Sequence, residues 1–417
     1  MSQTSKPCPD QDKQKKINKK TISQWIEERL PVFSMIQREY IRFPMPRNLN
    51  IWWTFGAVLT VVLVLMLATG IFLAMSYTPS AEGAFASIEM IERRVPSGWL
   101  LRSLHMAGSN LFLAFLYLHI FRGLYYGSYK NPRELVWFSG LFLMLMVMMT
   151  AFAGYILPWG QMSYWAANVV IQAISSIPWI GEGLAHWLMG GSSPNDLTLH
   201  RYFVLHFVMA FLIIGVVFIH VVCLHFVKSN NPKGIEPKTK EETLPFYPYY
   251  VAKDAVVIVV SLLLLILLAF LFPDLLTNSE NYTPANPLET PANIAPEWYF
   301  LPFYGILQLI PFKFLGLVLS AGSLLILFAV PWLDRSSIKS ATYRPLYRLS
   351  LFILLIAFVI LGIVGKYHTH GGLIWLGRLA LLYYYLHFLM ILPFSHRFEL
   401  KRTLPVSLLD DDKGAKS

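Results

Sequence analysis

The chain has 417 residues, of which 55% are hydrophobic and only 14% charged, and its mean hydropathy is +0.51. A soluble domain carries about 25% charged residues, so this composition excludes an ordinary soluble enzyme and indicates an integral membrane protein. The formal net charge of +10 would suit a nucleic-acid binder, but the placement of the basic residues along the chain argues against that.

Residues 1–50 are polar and read as an inner-face arm. Within it Lys13, Lys15, Lys16, Lys19 and Lys20 form a basic cluster suited to anionic lipid. No short apolar segment with a cleavage site precedes the first long apolar run, and Asp10 and Asp12 weaken a mitochondrial presequence reading. Residues 21–39 mix apolar and charged positions at helical spacing, which predicts an interfacial helix on the inner face. Eight runs of about 20 apolar residues follow, each long enough to span a bilayer. They cover roughly 51–76, 100–126, 136–157, 202–227, 253–273, 312–333, 346–366 and 373–394. The loops holding Lys130, Arg133, Lys228, Lys233, Lys238, Lys240, Arg335, Lys339 and Arg344 all fall on the side of the N-terminus, as does the tail with Arg397, Lys401 and Arg402. The opposite loops hold few basic residues, Arg93, Arg94 and Lys366 among them. This is the positive-inside pattern, and it places both termini on the inner, cytoplasmic side. On the outer side, Trp159, Trp165, Trp179 and Trp187 in the loop 158–201 read as interfacial anchors on short surface helices. The Pro-, Asn- and Thr-rich stretch 279–302 reads as an irregular outer loop.

The expected fold is therefore all-α, with four regions: the arm 1–50, a four-helix bundle 51–227, a second membrane region 228–394 and a tail 395–417. Inside the bundle lie two histidine pairs of identical spacing. His105 and His119 are fourteen residues apart, as are His206 and His220. Fourteen residues is about four turns, so each pair falls on one helix face with the imidazoles roughly 21 Å apart. The second and fourth spans run in the same direction, so His105 meets His206 near the outer face and His119 meets His220 nearer the inner face. Ionisable groups at such depth are functional candidates. Two facing imidazoles suit a planar metallocofactor with two open axial positions, such as haem. Cys8 and Cys223 form no covalent-haem, iron–sulfur or disulfide pattern, so any haem is expected to be non-covalent. Glycines repeat the spacing: Gly56 and Gly70 on the first span, Gly140 and Gly154 on the third. They match the two histidine levels and would let a flat macrocycle approach the backbone. Arg102, Arg122 and Arg201 lie at helix ends near the histidines and suit haem propionates, though a topology charge explains Arg122 equally well.

The segments GWLLRSLHMAG, YLHIFRGLYYGSY, AFAGYILPWGQMSYW, HFVKSNNP, YTPANP and PEWYFLPFY, spread over residues 40–400, resemble cytochrome b of the cytochrome bc complex, respiratory complex III, of bacterial type. The resemblance implies two bis-histidine haems b, quinol oxidation near the outer face, electron passage between the haems and quinone reduction near the inner face, coupled to proton translocation. It also implies a Rieske iron–sulfur protein and a cytochrome c-type subunit as partners, a homodimer, and a bacterial inner membrane location. Pro296, Glu297, Trp298 and Tyr299 match the family's outer quinol motif, with Glu297 as proton acceptor beside Tyr155 and Tyr304. By residue type alone, Glu297 is equally a loop-capping carboxylate. His225, Ser229, Lys253 and Asp254, with Asn50, match the inner quinone site, while Lys253 and Asp254 alone read as a helix-start charge pair.

The chain departs from the family at Ala166, Phe226, Lys228 and Gln308. Ala166 in place of glycine predicts weak sensitivity to methoxyacrylate-type inhibitors, and tight inhibition of turnover by such a compound would count against it. His368 and His370 read as residues of an exposed outer loop. Two other classes compete for the whole chain. A dihaem anchor of a dehydrogenase or hydrogenase would lack the Pro296–Tyr299 loop, and a proton-coupled transporter would not need glycines in register with its histidines.

Overall fold

The computed structural model describes residues 21–367, 371–399 and 404–410. The basic cluster Lys13–Lys20, Cys8, His368, His370, Lys401 and Arg402 lie outside the described residues.

Among the described residues, eight helices are long and apolar enough to cross a membrane. With no water in hydrocarbon to satisfy backbone groups, a helix that bonds its own backbone is the available spanning form. In chain order, Ile22–Arg29 (α1) and Val32–Ile36 (α2) precede the first span, Phe55–Ala74 (α3). A surface helix Ala84–Arg94 (α4) leads to Gly98–Tyr126 (α5) and Glu134–Ile156 (α6). The outer helices Gln161–Ile174 (α7) and Gly181–Met189 (α8) lead to Asp196–Val227 (α9). Val251–Leu271 (α10), Leu301–Leu309 (α11), Lys313–Leu333 (α12), Pro345–Tyr367 (α13), Gly372–Leu386 (α14) and Leu392–Phe398 (α15) complete the chain.

Three sequence expectations need correction. The arm is not one helix over 21–39: it breaks at Leu30–Pro31, and a π turn Gln37–Ile41 follows α2. Proline at position 31 cannot donate a backbone hydrogen bond. The α9 helix begins at Asp196, six residues before the apolar run, because Asn195 caps it through Leu197 N at 2.9 Å. The four outer tryptophans divide. Trp179 and Trp187 are exposed, whereas Trp159 is buried against Tyr164 and Trp165 donates its indole N–H to Asn286 O. The helices α4 and α11, too short and too mixed to register as spans, escape a hydropathy reading.

Helix α3 packs on α5 and α6 on α9, giving two pairs that place all four histidines inside the first bundle. Helix α11 packs so closely into α13 that Gly305 faces Leu361 O and Gly365 faces Leu301 O. One hydrophobic core runs through both halves, from Leu113 and Met144 to Tyr299, Tyr347 and Phe388. Trp137 in α6 ties the halves by donating to Leu327 O at 2.8 Å.

At the inner face the loops interlock. Arg133 is 2% exposed; it donates to the carbonyls of Val227, Lys228 and Ser229 and pairs with Glu236 at 2.9 Å. A cation at a helix C-terminus satisfies the last carbonyls and complements the dipole. Asp334 pairs with Arg344 and with Lys130, each at 2.8 Å, and Arg344 also pairs with Glu399. The short strands Pro44–Pro46 (β1) and Thr243–Pro245 (β2) pair antiparallel and pin the arm to the loop after α9.

Candidate functional site

The outer level is built by four helices. The rings of His105 on α5 and His206 on α9 lie 6.2 Å apart between centroids, inclined by 72°. That gap accommodates one metal atom held by facing ring nitrogens at about 2 Å each. Thr69 on α3 donates its hydroxyl to Leu65 O, so its oxygen accepts from His105 Nδ1–H at 2.8 Å. His206 Nδ1–H donates to Thr150 O on α6, also at 2.8 Å. With Nδ1 occupied in both rings, Nε2 keeps its lone pair for a metal.

The inner level repeats the design with one difference. Ser139 on α6 donates to Leu135 O at 2.7 Å and accepts from His220 Nδ1–H at 2.9 Å. His119 Nδ1 instead meets Arg122 Nη2 at 3.3 Å, and a guanidinium can only donate. The Nε of Arg122 is buried without a partner, and its guanidinium lies 5.2 Å from the Trp53 ring centre. A buried cation with an unused donor fits an anionic group such as a haem propionate.

The glycines fall in register with the rings. A β-carbon at Gly70 would lie 3.1 Å from His105 Cε1, and one at Gly154 would lie 2.5 Å from His206 Cε1. At the inner level, Gly140 faces His220 at 3.1 Å and Gly56 faces His119 at 3.7 Å. Among the described residues, no three His, Cys, Asp or Glu side chains cluster as a metal-ion site. At the outer level the candidate donors are the imidazoles of His105 and His206, a pair suited to a macrocycle-held metal rather than to a metal ion bound by protein alone.

A cavity of about 250 Å³ opens beside the outer pair and is lined by both rings, Gly70, Arg102, Tyr155 and Glu297. Burial lifts the Glu297 carboxyl to about 7, against the opposing pull of Arg102. The Tyr155 hydroxyl is buried without a partner in the same cavity. Around Glu297 the loop is fixed: Pro296 is buried, Trp298 donates to Asn110 Oδ1 at 2.7 Å, and Tyr299 O accepts from Tyr117 at 2.5 Å. Tyr304 donates to Ile294 O at 3.1 Å, which holds its hydroxyl on the loop backbone. Arg102 approaches Glu92 at 3.9 Å, while Arg201 donates to Trp187 O on the outer surface. Ala166 is buried in α7.

The inner candidates gather in two groups. Lys253 donates to Leu49 O at 2.7 Å, and the adjacent Asn50 donates to the Tyr126 hydroxyl at 3.3 Å. His225 is held separately by Glu39 at 3.2 Å and by stacking on Phe43 at 4.4 Å. Asp254 follows Lys253 in α10 and is partly exposed, and the Ser229 hydroxyl donates to Asn230 O. Sequence reasoning missed Thr69, Ser139, Thr150 and Glu39. A signal existed for two of them: a hydroxyl residue directly precedes the glycine in both Thr69–Gly70 and Ser139–Gly140.

Fold and site together define a helical membrane protein of the electron-transport class, with paired imidazoles at two depths. Residues 40–228 match the family model described as cytochrome b/b6/petB, and residues 284–385 match cytochrome b(C-terminal)/b6/petD. The chain is 47% identical over 391 residues to the cytochrome b of Rickettsia prowazekii, covering 93% of this chain and 98% of that one. It is 45% identical over 385 residues to the cytochrome b/c1 of Bradyrhizobium diazoefficiens, covering 92% of this chain and 56% of that longer one. A solved structure of a hyperthermophilic respiratory complex III has the same fold, with a TM-score of 0.86 at 34% identity, covering 91% of this chain and 99% of that one. The chain belongs to the cytochrome b family, a family that binds haem b, and its role is electron transport of the complex III type.

Proposed function

We propose that this chain is the quinol-oxidising and quinone-reducing subunit of a bacterial complex III. Quinol gives up electrons and protons near the outer face; electrons cross to the inner face, where quinone is reduced and protons are taken up. The observation that carries the reading is the outer cavity, which His105, His206 and Glu297 all line.

His105 with His206, and His119 with His220, would hold the two haems b: His105, His206 and His220 through Nε2, and His119 once its Nδ1 is released from Arg122, with Arg122 and Arg102 toward propionates. When bound, the haems supply one-electron carriers at two depths. The rest belongs to the chain. Thr69, Thr150 and Ser139 hold three of the rings in one tautomer. Glu297, poised near neutrality, accepts a proton from a quinol hydroxyl in the cavity. The Tyr155 hydroxyl, unspent in the protein, is available to orient that quinol. At the inner face, His225, Lys253 and Asp254 would supply protons to reduced quinone, with Asn50 and Ser229 framing the site.

The cytochrome b/c1 relative supports a cytochrome c-type partner, and the complex III likeness supports a Rieske iron–sulfur partner; a homodimer is what the family resemblance implies. Both termini would face the cytoplasm, as the basic inner loops require. The test is a reduced-minus-oxidised spectrum with pyridine-extract stoichiometry on the purified complex, followed by haem reduction with inhibitors specific to each quinone site. Two low-spin b centres with separately inhibitable reduction are expected. A protein without haem, or with one inhibitor blocking all reduction, would overturn the reading.

A further inference from the structure

Glu39 belongs to no segment that the motif reading singled out. It sits on the π turn Gln37–Ile41, in the arm that crosses the inner face. The arm is fixed there by two backbone links and one side-chain hydrogen bond. Its β1 strand pairs with β2, Phe43 O accepts from Phe246 N at 2.9 Å, and Pro46 O accepts from the Tyr250 hydroxyl at 2.5 Å. The anchored arm brings Glu39 Oε2 to 3.2 Å from His225 Nδ1 across 186 residues of sequence. Phe43 stacks on the same imidazole at 4.4 Å and Tyr40 closes over it at 5.7 Å. Carboxylate, two aromatic rings and the end of α9 therefore fix both the place and the rotation of His225. Exposure grades along the pair: the Glu39 side chain is 30% exposed and that of His225 20%.

We propose that Glu39 is a positioning residue for proton delivery at the inner quinone site, holding His225 by Nδ1 so that Nε2 presents its proton to the oxygen of a reduced quinone. This rests on the reading of His225 as an inner-site residue. Arg38 first, and then His225, hold the Glu39 carboxyl below its ordinary value, so it remains an acceptor and the Nδ1 position must donate. A carboxylate on Nδ1 fixes the tautomer and stabilises the ring while it carries a second proton. In the step, the Nε2–H bond breaks and an O–H bond forms on the quinone oxygen. The ring keeps its Nδ1–H on Glu39 and regains the Nε2 proton from inner-face water. A solvent-screened ion pair contributes little to stability here. The role of Glu39 is orientation and charge, and it is read in rate. Besides Arg38, the charged groups close along the chain are Arg42, three residues after Glu39, and Lys228, three residues beyond the ring; the inner-site reading adds Lys253 and Asp254 at the start of α10.

The experiment uses the assembled complex in native membranes, with the outer site blocked by an inhibitor. Haem reduction by added quinol through the inner site is followed across a pH series in wild type, E39Q, E39D and H225A. Inner-site inhibitor affinity is measured in parallel. E39Q should slow the reaction about tenfold, below the 10²–10⁴ that a positioned proton donor supplies, and displace its pH profile. E39D should restore most of the rate, and inhibitor affinity should hold in both. A wild-type rate and profile in E39Q beside a slow H225A overturns the role of Glu39 and leaves the inner-site reading standing. A wild-type rate in H225A overturns the inner-site reading itself. Equal loss of rate and of inhibitor binding in E39Q and E39D marks a structural contact and also overturns the proposal.

Discussion

The four bundle glycines look equivalent in sequence, yet the structure grades them. At Gly154 an added methyl would sit 2.5 Å from His206 Cε1 and 2.8 Å from His206 Nδ1. Ordinary carbon contacts lie at about 3.5–4.0 Å, so the ring would have to retreat by about 1 Å. Retreat would also break the bond from His206 Nδ1 to Thr150 O, which sets the tautomer. At Gly56 the same methyl would stand 3.7 Å from His119 Cε1, an ordinary contact. Gly70 and Gly140, at 3.1 Å each, fall between. Overpacking costs about 1–3 kcal/mol, which is about 5- to 150-fold in haem affinity if it falls on the bound state. We expect Gly154→Ala to lose the outer haem and keep the inner one. Gly70→Ala and Gly140→Ala should each weaken one haem, and Gly56→Ala should keep both. The assay is haem stoichiometry in purified complex, with spectra at low temperature to separate the two centres. Equal haem loss in all four variants would refute the reasoning, because approach to the macrocycle rather than to the histidine ring would then set the requirement.

Three further outcomes follow from the site. His206→Ala should remove the outer chromophore and leave the inner one, with His220→Ala doing the reverse; optical titration distinguishes them, and loss of both centres from either variant would contradict separate sites. Burial lifts Glu297 to about 7, so its base form is populated only as pH rises through that value. Outer-site turnover should therefore rise with pH through about 7 in wild type, whereas Glu297→Gln should abolish this limb and slow the rate by about 10²-fold or more. Arg344→Gln should strand Glu399 and leave Asp334 to Lys130 alone, costing about 3–5 kcal/mol as for other broken buried pairs. Thermal unfolding in detergent reads that loss, and an unchanged midpoint would contradict the clamp.

The spans and the spacing of the two histidine levels were legible in the sequence alone. Long apolar runs and the bias of lysine and arginine are one-dimensional signals, and the fourteen-residue spacing fixes a helix face without reference to any neighbour. The helices α4 and α11 were not legible, because α4 mixes polar and apolar residues and α11, though apolar, is only nine residues long. The break at Pro31 was written in the sequence but outweighed by the surrounding periodicity.

What only the tertiary structure decided is how each candidate is held. Thr69 meets His105 from 36 residues away, Ser139 meets His220 from 81, and Glu39 meets His225 from 186. The shift of Glu297 comes from burial against α5 and α6, and burial is a property of the assembled helices rather than of the loop that carries the residue. Hydrophobicity and period act locally along the chain. Hydrogen-bond partners and desolvation depend on which helices pack together, and so they exist only once the bundle has closed.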